Sequence, residues 1–310
     1  MNTLFRTPIF IIYVATINLA SSIGSLANAD VVTEWNNAAL DAIRAGNTSP
    51  PIASRGLAIL HAAIYDAVNG IARTHEEYLV PSAVPASASR EAAASAAAHQ
   101  ALVNLFPASV SSFDTLHAAI LATIRNSPQK TAGIVWGEIV ATQILAARTN
   151  DGSNAIVSPP GGSGPGVWIP TPPAFLPYLL PQWGFVAPFA MSSSSQFRPP
   201  GPPALDSQQY AADYEEVKQL GAAVGSTRTE EQTEIALFWA DGAGTEPPPG
   251  HLNSIAQIIG AARGTTLEEN ARLFALLNIG TADAAICSWT RSTRIIFGDP
   301  LPQLPSTNRN

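Results

Sequence analysis

The sequence predicts an all-α fold, a helical bundle with a long Pro/Gly/aromatic-rich connecting strap, and three observations predict it. Between Pro50 and Ile71 the apolar residues Leu57, Leu60, Ile64, Val68 and Ile71 recur at three- and four-residue steps, the period of one helical face. Ser87 to Phe106 is rich in Ala, the strongest helix former. Half of the 26 prolines fall between Ser158 and Pro203, where they forbid helix interiors. No alternating β pattern runs beyond a few residues, and no internal repeat is present.

The first element reads as a targeting segment. MNTLFRTP carries one Arg, an apolar run follows from Ile9 to about Ala20, and small residues lead to Ala27-Asn28-Ala29. That is the order of a secretory signal, with an apolar run short for a bilayer span. Residues 1–29 are therefore expected to be a signal peptide cleaved after Ala29; an uncleaved anchor is the other reading. The product would be exported, to the periplasm or the medium. No later segment reads as long and apolar enough for a membrane helix, so no membrane is expected after cleavage.

The remainder, 30–310, reads as one helical domain: helices over 30–150, the strap over 158–203, and helices over 207–296. Ser111 with Asp114, then Leu116, Ile120 and Ile124, marks one helix. Lys130 to Arg148 gives another, stopped by Asn150-Asp151-Gly152. The strap holds Trp168, Phe175, Tyr178, Trp183, Phe185, Phe189 and Phe197, more rings than a disordered linker carries. It is read as packing those rings onto the helices, against a flexible linker as the alternative. Helices resume at Ser207–Leu220 and Thr229–Ala240. Thr229 with Gln232, and Thr266 with Glu269, have capping-box spacing. The helix from Thr266 to about Ile296 is apolar almost all round, which predicts the buried centre of the bundle.

A 46% hydrophobic composition supports a packed core, and Cys287 is the single cysteine, so no disulfide framework is available. The formal charge of −7 with no basic run excludes a nucleic-acid partner.

Candidate chemistry is sparse. None of the five histidines pairs with His, Cys or carboxylate at metal-ligand spacing. His61 reads either as a buried hydrogen-bond relay or as a satisfied core histidine; His99 and His117 read as helix-surface residues. Asp241 ends a helix whose dipole opposes a carboxylate there, so it has a buried cation partner or lies solvated in a loop. Arg291 and Arg294 share a helix face. They could clamp an oxyanion, or simply form a solvated positive helix end.

Seven strings together resemble the vanadium-dependent haloperoxidase-like proteins of the phosphatidic acid phosphatase type 2 superfamily. They are HAAIYDAVNGI (61–71), ASREAAASAAAHQALVNLFP (88–107), GPGVWIPTPPAF (164–175), PQWGFVAPFA (181–190), FRPPGPPALDS (197–207), EIALFWADGAGTEPPPGHLN (234–253) and NARLFALLNIGTADAAICSW (270–289). The resemblance implies that 30–310 is the N-terminal portion of a haloperoxidase-like helical domain. It also implies vanadate as cofactor, or phosphate in the phosphatase relatives, with peroxide-driven halide oxidation as the family chemistry. In that family a Lys, two Arg, a Ser and a backbone amide hold the oxyanion, one His is apical and another handles protons.

The motifs depart from that pattern. Arg291, just after Trp289, stands where the family has its Lys, and the Arg-Pro that should follow reads Asp299-Pro300, one residue displaced. Pro-Ser-Gly-His and the later Arg-x-x-x-x-x-His do not occur before Asn310. Pro249-Gly250-His251 precedes the first motif and is not a substitute. By the resemblance, Arg291 is the one remnant of the vanadate or phosphate site. Asp241 is a supporting carboxylate whose arginine partner is absent. The expectation is a shortened family member without turnover. The rival is an exported, non-catalytic helical binding protein on the same scaffold. Either way, exposed apolar helix faces would favour self-association. Assembly with a separate chain that supplies the missing motifs is a third reading.

Overall fold

A computed structural model describes residues 30–158, 168–172, 174–197, 200–242 and 244–297, with side chains described as far as Thr290. The expected signal segment, part of the strap, the Asp299-Pro300 departure and the final residues lie outside these. The described chain forms α1 (Val31–Ala45), α2 (Pro50–Ala72), α3 (Arg90–Leu105), α4 (Val110–Thr123), α5 (Pro128–Arg148), α6 (Gln208–Gly221), α7 (Glu230–Phe238), α8 (Pro248–Arg263) and α9 (Leu267–Phe297). No strand occurs among the described residues, so the fold is all-α as the sequence predicts.

Helix ends follow from their caps. Asp30 accepts the Thr33 N–H at 2.9 Å and opens α1, while its other oxygen accepts from Asn270 Nδ2 at 2.7 Å and ties α1 to α9. Thr229 and Gln232 form a reciprocal capping box on α7, and Thr266 with Glu269 does the same ahead of α9. One helix begins at an unusual string: Pro247-Pro248-Pro249-Gly250 opens α8, with Pro248 and Pro249 in its first turn. That turn makes no use of its own N–H groups, so proline is tolerated there and nowhere further in.

The centre of the bundle is α2. From Gly56 to Ile71 only Tyr65 is less than fully buried. Of the predicted stripe, Leu57, Leu60, Ile64 and Val68 face a core shared with Trp35 and Ile43 of α1, Leu102 of α3, Phe113 of α4 and Phe274 of α9, whereas Ile71 turns to the opposite face. The opposite face, Ala58, Ile59, Ala62, Ala63 and Ala67, packs a second core with Trp136, Val140 and Ile144 of α5, and Trp183 and Val186 of the strap. Small side chains there let α3 and α5 come close, which one-face periodicity does not reveal.

The central role predicted for α9 is thereby corrected. It packs Ala271, Phe274, Ala282 and Ile286 inward while Leu276 stays 57% exposed. By length and composition Leu267–Thr290 could cross a membrane, contrary to the sequence expectation. Here it lies along α2 and carries buried Asn270, Asn278 and Asp283. Asn278 exchanges paired amide hydrogen bonds with Asn253 of α8 at 2.8 and 2.9 Å.

Between α3 and α5 the contact is set by glycine. A Cβ on Gly137 would fall onto the carbonyl oxygen of Ala93, and one on Gly133 onto that of Ser89, inside any approach real Cβ atoms make. Gly137→Ala is expected to destabilise the fold by about 3 kcal/mol through forced separation of the two helices. Chemical denaturation checks this, and a loss under about 1 kcal/mol would mean the helices part easily.

In contrast, α6 and α7 bury none of their residues. Val217 and Leu237 are 71% and 72% exposed.

Candidate functional site

The strap is held where α9 nears its end. Asp283, in an Ala-rich stretch of α9, accepts three consecutive strap N–H groups: Phe189 at 2.6 Å, Ala190 at 2.9 Å and Met191 at 2.8 Å. From the other side, Arg148 donates to the carbonyls of Ala187 (2.6 Å) and Pro188 (3.1 Å) and lies 3.8 Å over the Phe189 ring. Tyr78 donates its hydroxyl to the Phe189 carbonyl at 2.9 Å. A second carboxylate repeats the device, Asp66 of α2 taking the N–H groups of Tyr78, Leu79 and Val80. Burial lifts the Asp66 carboxyl above its ordinary value although those three donors oppose it.

Arg148 is itself anchored. Asp151 accepts from Arg148 at 2.8 Å and from Arg55 at 2.7 Å. Burial alone would raise the Asp151 carboxyl, but hydrogen bonds from Arg55 and Ser153 outweigh it and leave it below the usual carboxylate value. Burial pulls the Arg148 guanidinium down, against the pull of Asp151.

Of the strap's rings, Trp183 and Phe189 are buried, whereas Phe175, Phe185 and Phe197 are exposed. Gly184 lies so close to Thr290 that a Cβ would meet its backbone, and Thr290 donates to the Gly184 carbonyl at 2.8 Å. Trp289 donates its indole N–H to Leu179 at 2.9 Å. The strap therefore meets α9 on the turn before Arg291. Arg291 continues α9 by its backbone; its side chain lies outside the described residues.

Asp241 has a partner, and it is a histidine. His251 Nδ1 stands 3.2 Å from its Oδ1, and the imidazole is flanked by Phe238 and Trp239. The sequence reading set His251 aside and missed this pair because ten residues and a change of helix separate its members. The His99 and His117 readings are also corrected. Their rings stack at 4.6 Å, with Asp114 2.7 Å from His99 Nε2. Ser95 accepts from the Trp35 indole at 3.1 Å, and its hydroxyl lies in hydrogen-bond contact with His117 Nδ1 at 2.9 Å. Burial first, then His99, pushes His117 down to about 4. His61 is a core histidine. Its Nε2 meets Asn36 Oδ1 at 2.8 Å, its ring stacks on Phe274, and Nδ1 has no partner among the described residues, so no relay continues through it.

The described side chains do not fit a trianionic oxyanion. The half-buried cations are already committed: Arg55 and Arg148 as above, Arg44 to Glu246 and Asp41, Lys130 to the Leu121 and Ile124 carbonyls, and Arg228 to the Leu220 carbonyl. Among the described residues no group of three His, Cys, Asp or Glu could hold a metal ion.

No protein-family profile matches the chain. It is 25% identical over 348 aligned residues to the vanadium chloroperoxidase of Curvularia inaequalis, covering 88% of this chain and 56% of that protein. Its fold matches that of a solved structure described as the first bacterial vanadium-dependent iodoperoxidase. That match has a TM-score of 0.73 and 23% identity, over 86% of this chain and 69% of the other. The chain is thus similar in sequence to a vanadium chloroperoxidase and in fold to a vanadium-dependent iodoperoxidase. It spans little more than half the length of the curated relative it matches.

Proposed function

We propose that the chain uses a vanadium haloperoxidase scaffold whose family chemistry, vanadate-dependent oxidation of halide by peroxide, these 310 residues do not perform alone. The commitment of the half-buried cations to internal partners carries this reading, because an oxyanion of charge −3 needs several cationic donors left free to converge on it. Arg291 is retained as the one remnant of that site and Asp241 as a supporting carboxylate, now occupied by His251. Export through residues 1–29 belongs to the same proposal.

The purified mature chain, given vanadate, peroxide and bromide, is expected to form no oxidised bromine above a vanadate-only control, and equilibrium dialysis is expected to retain no vanadate. Bromide oxidation that disappears in Arg291→Ala would overturn the reading.

A second reading is favoured by α6 and α7, whose Tyr214, Val217, Leu237 and Phe238 are more than half exposed. On that reading the chain is a non-catalytic interaction protein that self-associates through these faces. Sedimentation velocity tests it: a concentration-dependent oligomer abolished by Leu237→Glu supports it, and a monomer at every concentration removes it.

A further inference from the structure

A cleft of about 400 Å³ opens between α9 and the loop that follows α2, within the roughly 300–1,000 Å³ usual for small-molecule sites. The loop side carries Glu76 and Glu77. The α9 side carries Arg272, then Leu276 and Ile279 along one helix face. We propose that this cleft binds a small zwitterion with an apolar side chain, of the amino-acid class, as a free amino acid or a short peptide. The site is independent of the haloperoxidase reading.

Three features select that class. The first is charge of both signs left unpaired: among the described residues, Arg272, Glu76 and Glu77 make no ion pair and no side-chain hydrogen bond. All three act on the Tyr65 hydroxyl, which burial and then Asp66 raise, Arg272 lowers, and Glu77 and Glu76 raise again. A lone anion would meet the two glutamates and a lone cation would meet Arg272. An uncharged apolar molecule would strip water from all three and return nothing. A zwitterion answers both signs. The second feature is a loop side already built. Asn69 holds His75 through the His75 carbonyl at 2.8 Å and its N–H at 3.0 Å, and Asp66 holds residues 78–80. Between these anchors Tyr65 donates to the Glu76 carbonyl at 2.6 Å. Glu76 and Glu77 thus sit on a fixed backbone, and binding pays little to order it. The third is Leu276, 57% exposed beside Ile279 in the cleft, an apolar surface that a ligand's side chain would cover.

Isothermal titration calorimetry on the purified chain tests this with leucine, leucyl-leucine, glycine, N-acetylleucine and leucinamide. Leucine or leucyl-leucine is expected to bind at millimolar concentration or below, and the tighter of the two names the source. Glycine, without the apolar part, should bind about tenfold more weakly than leucine. N-acetylleucine lacks the ammonium and leucinamide the carboxylate, and each should bind about fivefold more weakly than leucine. Arg272→Gln should weaken leucine about fivefold and leave leucinamide unchanged. Glu76→Gln with Glu77→Gln should weaken leucine likewise and leave N-acetylleucine unchanged. These positions are exposed, so the thermal midpoint should match the wild type. The proposal is wrong if neither leucine nor leucyl-leucine binds, if both singly charged analogues bind the wild type as tightly as leucine, or if Arg272→Gln leaves leucine affinity unchanged.

Discussion

Asp283→Ala is expected to lower the free energy of unfolding by about 4 kcal/mol. The substitution leaves the amides of Phe189, Ala190 and Met191 without their acceptor. Each orphaned buried donor costs about 1–3 kcal/mol, and water reaching the loosened strap recovers part of the sum. Asp283→Asn keeps the shape and one acceptor oxygen while turning an NH₂ toward donors, and should lose about 2 kcal/mol. Urea denaturation gives both values, and limited proteolysis should find new cleavage near 187–191 in the Ala variant. A loss below about 1 kcal/mol would show that the strap is held by Trp183 and Phe189 packing and not by the carboxylate.

The second large effect is acid lability. His61 titrates near 6.5 in an unfolded chain and near 3 in the fold, because burial disfavours its charged form. Between those values the unfolded chain binds a proton that the folded chain refuses, so stability is full above about 6.5 and falls as pH drops toward 3. The full interval is worth on the order of 4–5 kcal/mol. His117, pushed to about 4, acts with the same sign but less strongly, being only half-buried. Asp151, depressed by Arg55 and Ser153 against the effect of its burial, adds a loss at the acid end, below the usual carboxylate value. His61→Met should be less stable at neutral pH by about 1–3 kcal/mol, because Asn36 loses its partner. Its stability should nevertheless fall less steeply between pH 6 and 4. Parallel slopes for the two proteins over that interval would rule His61 out as the cause.

The helices that sequence makes legible are those whose signals are local. Asp30, Ser207, Thr229 and Thr266 cap within three residues of what they bond, and the α2 stripe repeats within its own helix. What sequence hides is set by neighbours distant along the chain. Nothing in Ala282-Asp283-Ala284 says which amides the carboxylate takes, although a charge in an apolar helix signals that it takes some. The two-sided burial of α2 depends on Trp136, Val140 and Ile144 in another helix, and the prolines of α8 resemble loop until the first turn is seen to tolerate them. The site is less legible than the fold. Asp241 and His251 were both visible as residues but not as a pair, and His99 and His117 become one unit only when α3 and α4 lie side by side.

The ties that close this bundle join its two ends: Asp30 to Asn270 across 240 residues, Arg44 to Glu246 across 202, and Asp283 to the strap across about 90. At the ribosome the N-terminal helices emerge long before α9, and at about 5–20 residues per second the delay is roughly 10–40 s. Throughout it the Leu57–Val68 face of α2 lacks Phe274 and its neighbours, a sticky ridge without a lid. The nascent chain should therefore depend on a holding chaperone, and its yield should fall when synthesis is slowed between α5 and α9.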